Sequence, residues 1–178
     1  MGQAKLENKK KIGILGGTFD PAHIDQIKIS ITAKKIYKLD KVIWAITKKN
    51  PYKKNSSLNL KERISYAKKI SLKNKFIKIG FYEDKIKSNK TINLIKFFIK
   101  KNKNTEIYFI MGADNLINFH KWEKYNLIPS LCKILVFDRD GYKSKSLKSL
   151  SFKKYNNKSL EFIKFKKVKI SSSQLRKI

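Results

Sequence analysis

The sequence predicts an α/β fold: a doubly wound, mostly parallel sheet of about five to six strands with helices on both faces. Three observations carry that expectation. Short apolar runs alternate with segments of helical period. Glycine-containing turns follow two of those runs. No internal repeat or long linker divides the 178 residues, a length that suits one domain with a proper core.

The elements follow in chain order. Residues 1–10 are expected to be a flexible lead-in and 11–178 a single domain. Ile12-Gly13-Ile14-Leu15 reads as a buried strand, followed by Gly16-Gly17-Thr18-Phe19-Asp20-Pro21-Ala22-His23. Ile24, Ile27 and Ile31 then recur at i, i+3 and i+7, so a helix should run on to about Tyr37. Lys41–Ile46 is a second strand, and Thr47 to Asn59 a polar loop carrying Asn50-Pro51-Tyr52-Lys53. Asn59 caps a helix with Leu60, Ile64, Ala67 and Ile70 on one face. Phe76–Ile79 is a short strand, Phe81–Lys90 a loop, and Thr91–Lys100 a helix burying Ile92, Ile95, Phe98 and Ile99.

Ile107–Met111 is the clearest buried strand, and it ends at Gly112-Ala113-Asp114-Asn115, a turn into a short helix. Phe119-His120-Lys121-Trp122 and a second short helical piece to Leu127 follow, closed near Pro129. Lys133–Phe137 is a fifth strand, with a polar turn at 138–141. Residues 144–158, rich in Lys, Ser and Asn, are expected to have little order. Phe162–Phe165 reads as a last strand, and Ser171–Ile178 as a serine-capped helical turn.

Composition narrows the function classes. The formal charge is +30, yet all but three of the 43 basic residues are lysines, spread from end to end. Arginine is the usual choice for bidentate recognition of bases and phosphates. A chain-wide lysine bias therefore fits better than a dedicated nucleic-acid surface. Lysines interrupt every apolar run well short of the ~18 residues a membrane span needs, so no membrane partner is expected. Cys132 is the only cysteine, which excludes an internal disulfide and a cysteine-rich metal site. A reducing, cytoplasmic setting is the simplest expectation.

The strand, glycine turn and helix from 12 to 37 suit a phosphate ligand. Glycines allow close backbone approach, and a helix start offers unpaired N–H groups with a partial positive charge. His23 stands at that start, with Gln26 three residues on. In parallel sheets ligands collect beyond the carboxyl ends of strands, where the strand order switches. The turns at Gly16–Asp20, at Gly112–Asn115 and at Ser171–Ser173 can therefore converge on one edge.

Taken as an ordered set, GGTFDPAH, GADN followed by FHKW, the NPYK loop, FDRDGY and ISSSQLR resemble the nucleotidylyltransferase superfamily. Within it the chain is similar to the nicotinate-nucleotide adenylyltransferase family, and the likeness runs from Lys11 onward. The resemblance implies a Rossmann-like fold and adenylyl transfer from ATP to nicotinate mononucleotide, with Mg2+ carried by the triphosphate. By the same resemblance Gly16, Gly17, Thr18 and Phe19 would line the nucleotide pocket, and His23, Gln26 and Arg176 would be the catalytic set. Gly112, Asp114 and Trp122 would hold the nucleotides, with the Trp122 indole stacked near the nicotinate ring or else serving as a core aromatic. Ser172 and Ser173 would bind phosphate. Lys53 is either a further phosphate contact or a solvated lysine.

Two departures stand out. The family's H-x-G-H reads here as His23-Ile24-Asp25-Gln26, and the chain stops two residues after Arg176. Gln26 cannot carry the positive charge of a histidine, and Asp25 brings a carboxylate near the polyphosphate. The expectation is an impaired enzyme. The alternatives are another adenylyl- or cytidylyltransferase of the superfamily, or a nucleotide-binding protein of this fold with weak chemistry.

Overall fold

Among the described residues, six parallel strands form one sheet in the order β3-β2-β1-β4-β5-β6. The computed structural model describes residues 8–49 and 56–165. The strands are β1 (Lys10–Gly17), β2 (Lys41–Ile46), β3 (Ile77–Gly80), β4 (Thr105–Gly112), β5 (Lys133–Phe137) and β6 (Leu160–Ile163). The helices are α1 (Ile24–Tyr37), α2 (Leu60–Ser71), α3 (Glu83–Ile86), α4 (Thr91–Lys101), α5 (Ala113–Ile117), α6 (Ile128–Leu131), α7 (Lys143–Leu147) and α8 (Leu150–Tyr155).

Strand side chains alternate between faces, and this splits the core in two. Ile12, Ile14, Ile43, Ala45, Ile107 and Phe109 turn toward α4, α5 and α6, with Phe152 of α8 at the margin. Val42, Trp44, Ile46, Tyr108 and Ile110 turn toward α1 and α2. Strands buried on both faces read as continuous apolar runs, which is why Val42-Ile43-Trp44-Ala45-Ile46 shows no alternation. Gly13 is required by packing: a Cβ there would lie 2.9 Å from Leu39 Cδ1 and 3.1 Å from Ile110 Cδ1. Trp44, fully buried, needs a partner for its indole N–H. It donates to Ser30 Oγ at 2.8 Å, and Ser30 in turn donates to the Gln26 carbonyl at 2.7 Å.

The helix starts follow from the caps. Asn59 accepts from the Glu62 N–H while Glu62 accepts from the Asn59 N–H, both at 2.9 Å, a complete capping box at the head of α2.

Four expectations need correction. Residues 144–158 are ordered as α7 and α8. The serines there are caps and packing groups, not solvated filler: Ser146, Ser149 and Ser151 are buried, and Ser149 Oγ accepts the Phe152 N–H at 3.2 Å. The segment 81–90 contains the one-turn helix α3. The last strand begins two residues earlier, at Leu160, because Leu160 pairs with Ile134 and is fully buried. Pro129 opens α6 instead of closing the preceding piece, since proline suits a first helical turn.

Candidate active site

The strand order reverses between β1 and β4. The chain leaves β1 for β2 on one side, whereas β4 leads outward to β5 on the other. Leu15 pairs with Ile110, so the ends of the two strands, Gly17 and Gly112, come to the same sheet edge. This is the crevice where parallel sheets take ligands.

The turn after β1 is held from below. Phe19 has φ 49° and a buried ring stacked on Trp44, centroids 5.0 Å apart. Of the pocket residues expected from the sequence, Phe19 therefore offers only its backbone to the crevice. The Asp20–Pro21 peptide is cis. Asp20 accepts the N–H groups of Ser57 and Leu58 at 2.7 and 2.9 Å, tying the turn to the approach of α2.

At the head of α1, His23 and Gln26 cap each other. His23 Nδ1 accepts the Asp25 N–H at 3.2 Å, and Gln26 Oε1 accepts the His23 N–H at 2.9 Å. An accepting Nδ1 leaves the imidazole hydrogen on Nε2, which is then the ring's donor. The Asp25 carboxylate is buried, with Oδ2 3.7 Å from His23 Nδ1. Sequence reasoning gave Gln26 a phosphate-facing role, but its oxygen closes the helix start.

Across the crevice, Gly112 is the N-cap of α5. A Cβ there would meet Asp114 Oδ1 at 2.6 Å, so glycine makes room for this carboxylate. Asp114 Oδ2 accepts from Arg139 Nη1 at 2.7 Å. Its Oδ1 is buried and has no hydrogen-bond partner among the described residues. Arg139, in the turn after β5, was not singled out from the sequence. A basic residue just beyond a strand's carboxyl end, on the same edge as GADN, was the available signal. Trp122 is half-buried, meeting Phe119 and Phe109 edge-on at 5.2 and 6.1 Å.

Beside Gly16 opens a cleft lined among others by Thr47, Tyr82, Glu83, Lys90, Thr91 and Phe109. Phe109 thus borders the cleft and touches Trp122. The sequence concealed this wall because residues 81–90 read as a polar loop; Tyr82 and Ile86, four apart, were the sign of a helical turn. Burial raises the pKa of Glu83 above the usual carboxylate range, opposed by the Lys48 N–H that it accepts at 3.3 Å. Lys53, Ser172, Ser173 and Arg176 lie outside the described residues.

A cytidylyltransferase-like family model matches residues 14–178. A probable nicotinate-nucleotide adenylyltransferase of Pelagibacter ubique (strain HTCC1062) is 62% identical over 97% of this chain and 95% of its own. The chain belongs to the nicotinate-nucleotide adenylyltransferase family. A relative of that name from Clostridium botulinum is 35% identical over 94% of this chain and 85% of its own. In fold, the chain is similar to the Plasmodium falciparum nicotinic acid mononucleotide adenylyltransferase complexed with NaAD. The TM-score is 0.71 at 19% identity, covering 94% of this chain and 83% of that one. As a nicotinate-nucleotide adenylyltransferase family member, the chain carries its GGTFDPAH and GADN segments at the two strand ends that form the switch point.

Proposed function

We propose that this protein transfers the adenylyl group of ATP to nicotinate mononucleotide, giving nicotinate adenine dinucleotide and pyrophosphate for NAD biosynthesis. The observation that carries the reading is the 62% identity, nearly end to end, with a relative named for this activity. The chemistry asks for little covalent help. A phosphate oxygen of the mononucleotide attacks the α-phosphorus of ATP in line, the bond to the β-phosphate bridge breaks, and pyrophosphate leaves. Catalysis then rests on alignment and on donors aimed at the developing charge.

The residues suit those tasks. The Gly16–Thr18 backbone can approach the phosphates closely, and His23 Nε2–H is a donor at a helix start. Asp114 Oδ1, which lacks a hydrogen-bond partner among the described residues, is an acceptor suited to a ribose hydroxyl, and Arg139 holds that carboxylate in place. In this reading the cleft beside Gly16, with Tyr82 and Phe109 among its lining residues, receives the pyridine ring. Its rim, at Lys90 and the start of α4, favours a carboxylate over a carboxamide. Lys53, Ser172, Ser173 and Arg176 complete the phosphate contacts in this reading. Magnesium arrives with the triphosphate as its salt. Among the described residues, no group of three or more His, Cys, Asp or Glu could hold a metal ion. A cytoplasmic setting belongs to this proposal. No helix among the described residues is long and apolar enough to cross a membrane.

Pyrophosphate release from purified protein given ATP, magnesium and nicotinate mononucleotide tests this function. A second reading, a nucleotide binder with feeble turnover, draws on Asp25 and on Gln26, whose oxygen is spent on the cap. Calorimetric ATP binding with negligible pyrophosphate release would favour it.

A further inference from the structure

Arg63, in the first turn of α2, is 2% exposed, although it carries a charge. A buried charge is tolerated when its donors are satisfied, and these are satisfied unusually. Nε donates to the Leu58 carbonyl at 3.2 Å. Nη1 donates to the carbonyls of Thr18 and Thr47 at 2.7 and 2.8 Å. Nη2 donates to the Lys48 carbonyl at 3.0 Å. None of the four acceptors lies in a helix or strand. They belong to two connections: the turn after β1, and both ends of the β2–α2 link, at Thr47–Lys48 and at Leu58. Other groups secure the same connections from the amide side. Asp20 accepts from Ser57 and Leu58, Glu83 accepts from Lys48, and the Thr47 N–H donates to the Gly17 carbonyl at 2.8 Å.

A hydrophobic side chain of similar volume would fill the space. It would also leave the four carbonyls without their donor, which costs stability. What it could not do is hold four loop carbonyls at fixed separations, which the planar, five-donor guanidinium can. We infer that Arg63 is a positioning residue for adenylyl transfer. It locks the Gly16–Asp20 turn to the end of β2, so that the walls on either side of the nucleotides keep the spacing in-line attack requires. This rests on the adenylyl-transfer reading above, and its test is built to separate the two.

The experiment compares Arg63→Lys and Arg63→Met with the unaltered protein. Lysine keeps the charge but has at most three donors, without the fork. The Arg63→Lys variant is expected to melt close to the parent, with KM for ATP raised about tenfold. Arg63→Met should lose about a hundredfold in kcat/KM, the order expected from a displacement of about 1 Å; lysine recovers part of it. A role in folding alone would remove active molecules, lowering apparent kcat while leaving both nucleotide KM values unchanged, and that result overturns the inference. Hydrogen exchange of the unliganded protein gives an arm independent of turnover. The amides of Thr47, Ser57 and Leu58 should exchange faster in Arg63→Lys, while β4 and β5 stay protected. Unchanged exchange at those three amides also overturns the inference. Should the methionine variant not fold, the lysine variant decides. Should the parent show no turnover, the adenylyl-transfer reading fails and exchange still decides the network.

Discussion

Gln26→Glu separates the two tasks that meet at the head of α1. The carboxylate keeps an oxygen where Gln26 Oε1 accepts the His23 N–H at 2.9 Å, so the capping box survives. Negative charge in a first helical turn adds about 0.3–1 kcal/mol of stability. For a chain of this size that is a rise in Tm of about 1–3 °C. The effect on turnover has the opposite sign. A unit charge facing another across ~7 Å costs about 2 kcal/mol at an effective dielectric near 20, and a polyphosphate carries several. About 2 kcal/mol corresponds to roughly thirtyfold in rate. The assay is paired: thermal unfolding without nucleotide, and pyrophosphate release with ATP and nicotinate mononucleotide. The expected variant melts at or above the parent yet turns over at least tenfold more slowly. Equal turnover would show that position 26 does not face the polyphosphate, and a large fall in Tm would show that the oxygen of Gln26 does more than cap the helix.

Asp25→Gly with Gln26→His restores the family's glycine and second histidine, and should raise dinucleotide formation about tenfold, or 1.4 kcal/mol. No gain would remove the impairment expected from the sequence. Gly112→Ala forces the Asp114 carboxylate away from the atom it would meet at 2.6 Å, so KM for a nucleotide should rise while far-UV circular dichroism is unchanged. Cys132, buried with its thiol pKa pushed up to about 12, should resist alkylation in the native protein at pH 8 and react on unfolding.

Much of this site was legible in the sequence for a simple reason. Ile12–Leu15 and Ile107–Met111 are strands buried on both faces, so they stand out as unbroken apolar runs, and the glycines that follow mark their carboxyl ends. Two such ends define a switch point without any knowledge of packing. What stayed hidden depends on contacts between distant parts of the chain. Arg63 looks like one more solvated charge on α2, because its acceptors lie at positions 18, 47, 48 and 58. Asp20 has nothing near it in sequence to show that its carboxylate holds Ser57 and Leu58. Gln26 reads as a depleted phosphate donor until its oxygen is found on the His23 N–H. Residues 144–158 failed differently: composition suggested solvent, whereas Ser149 was a helix cap.

In the proposed reaction the adenylyl group passes directly between the substrates, with no protein nucleophile. The most direct measurement follows label from ATP carrying 32P at the α-phosphorus, incubated with magnesium, nicotinate mononucleotide and the protein. The label should appear in nicotinate adenine dinucleotide, one for each pyrophosphate released, with none retained on the denatured chain. Label bound covalently to the protein, or ATP consumed without labelled dinucleotide, would contradict it.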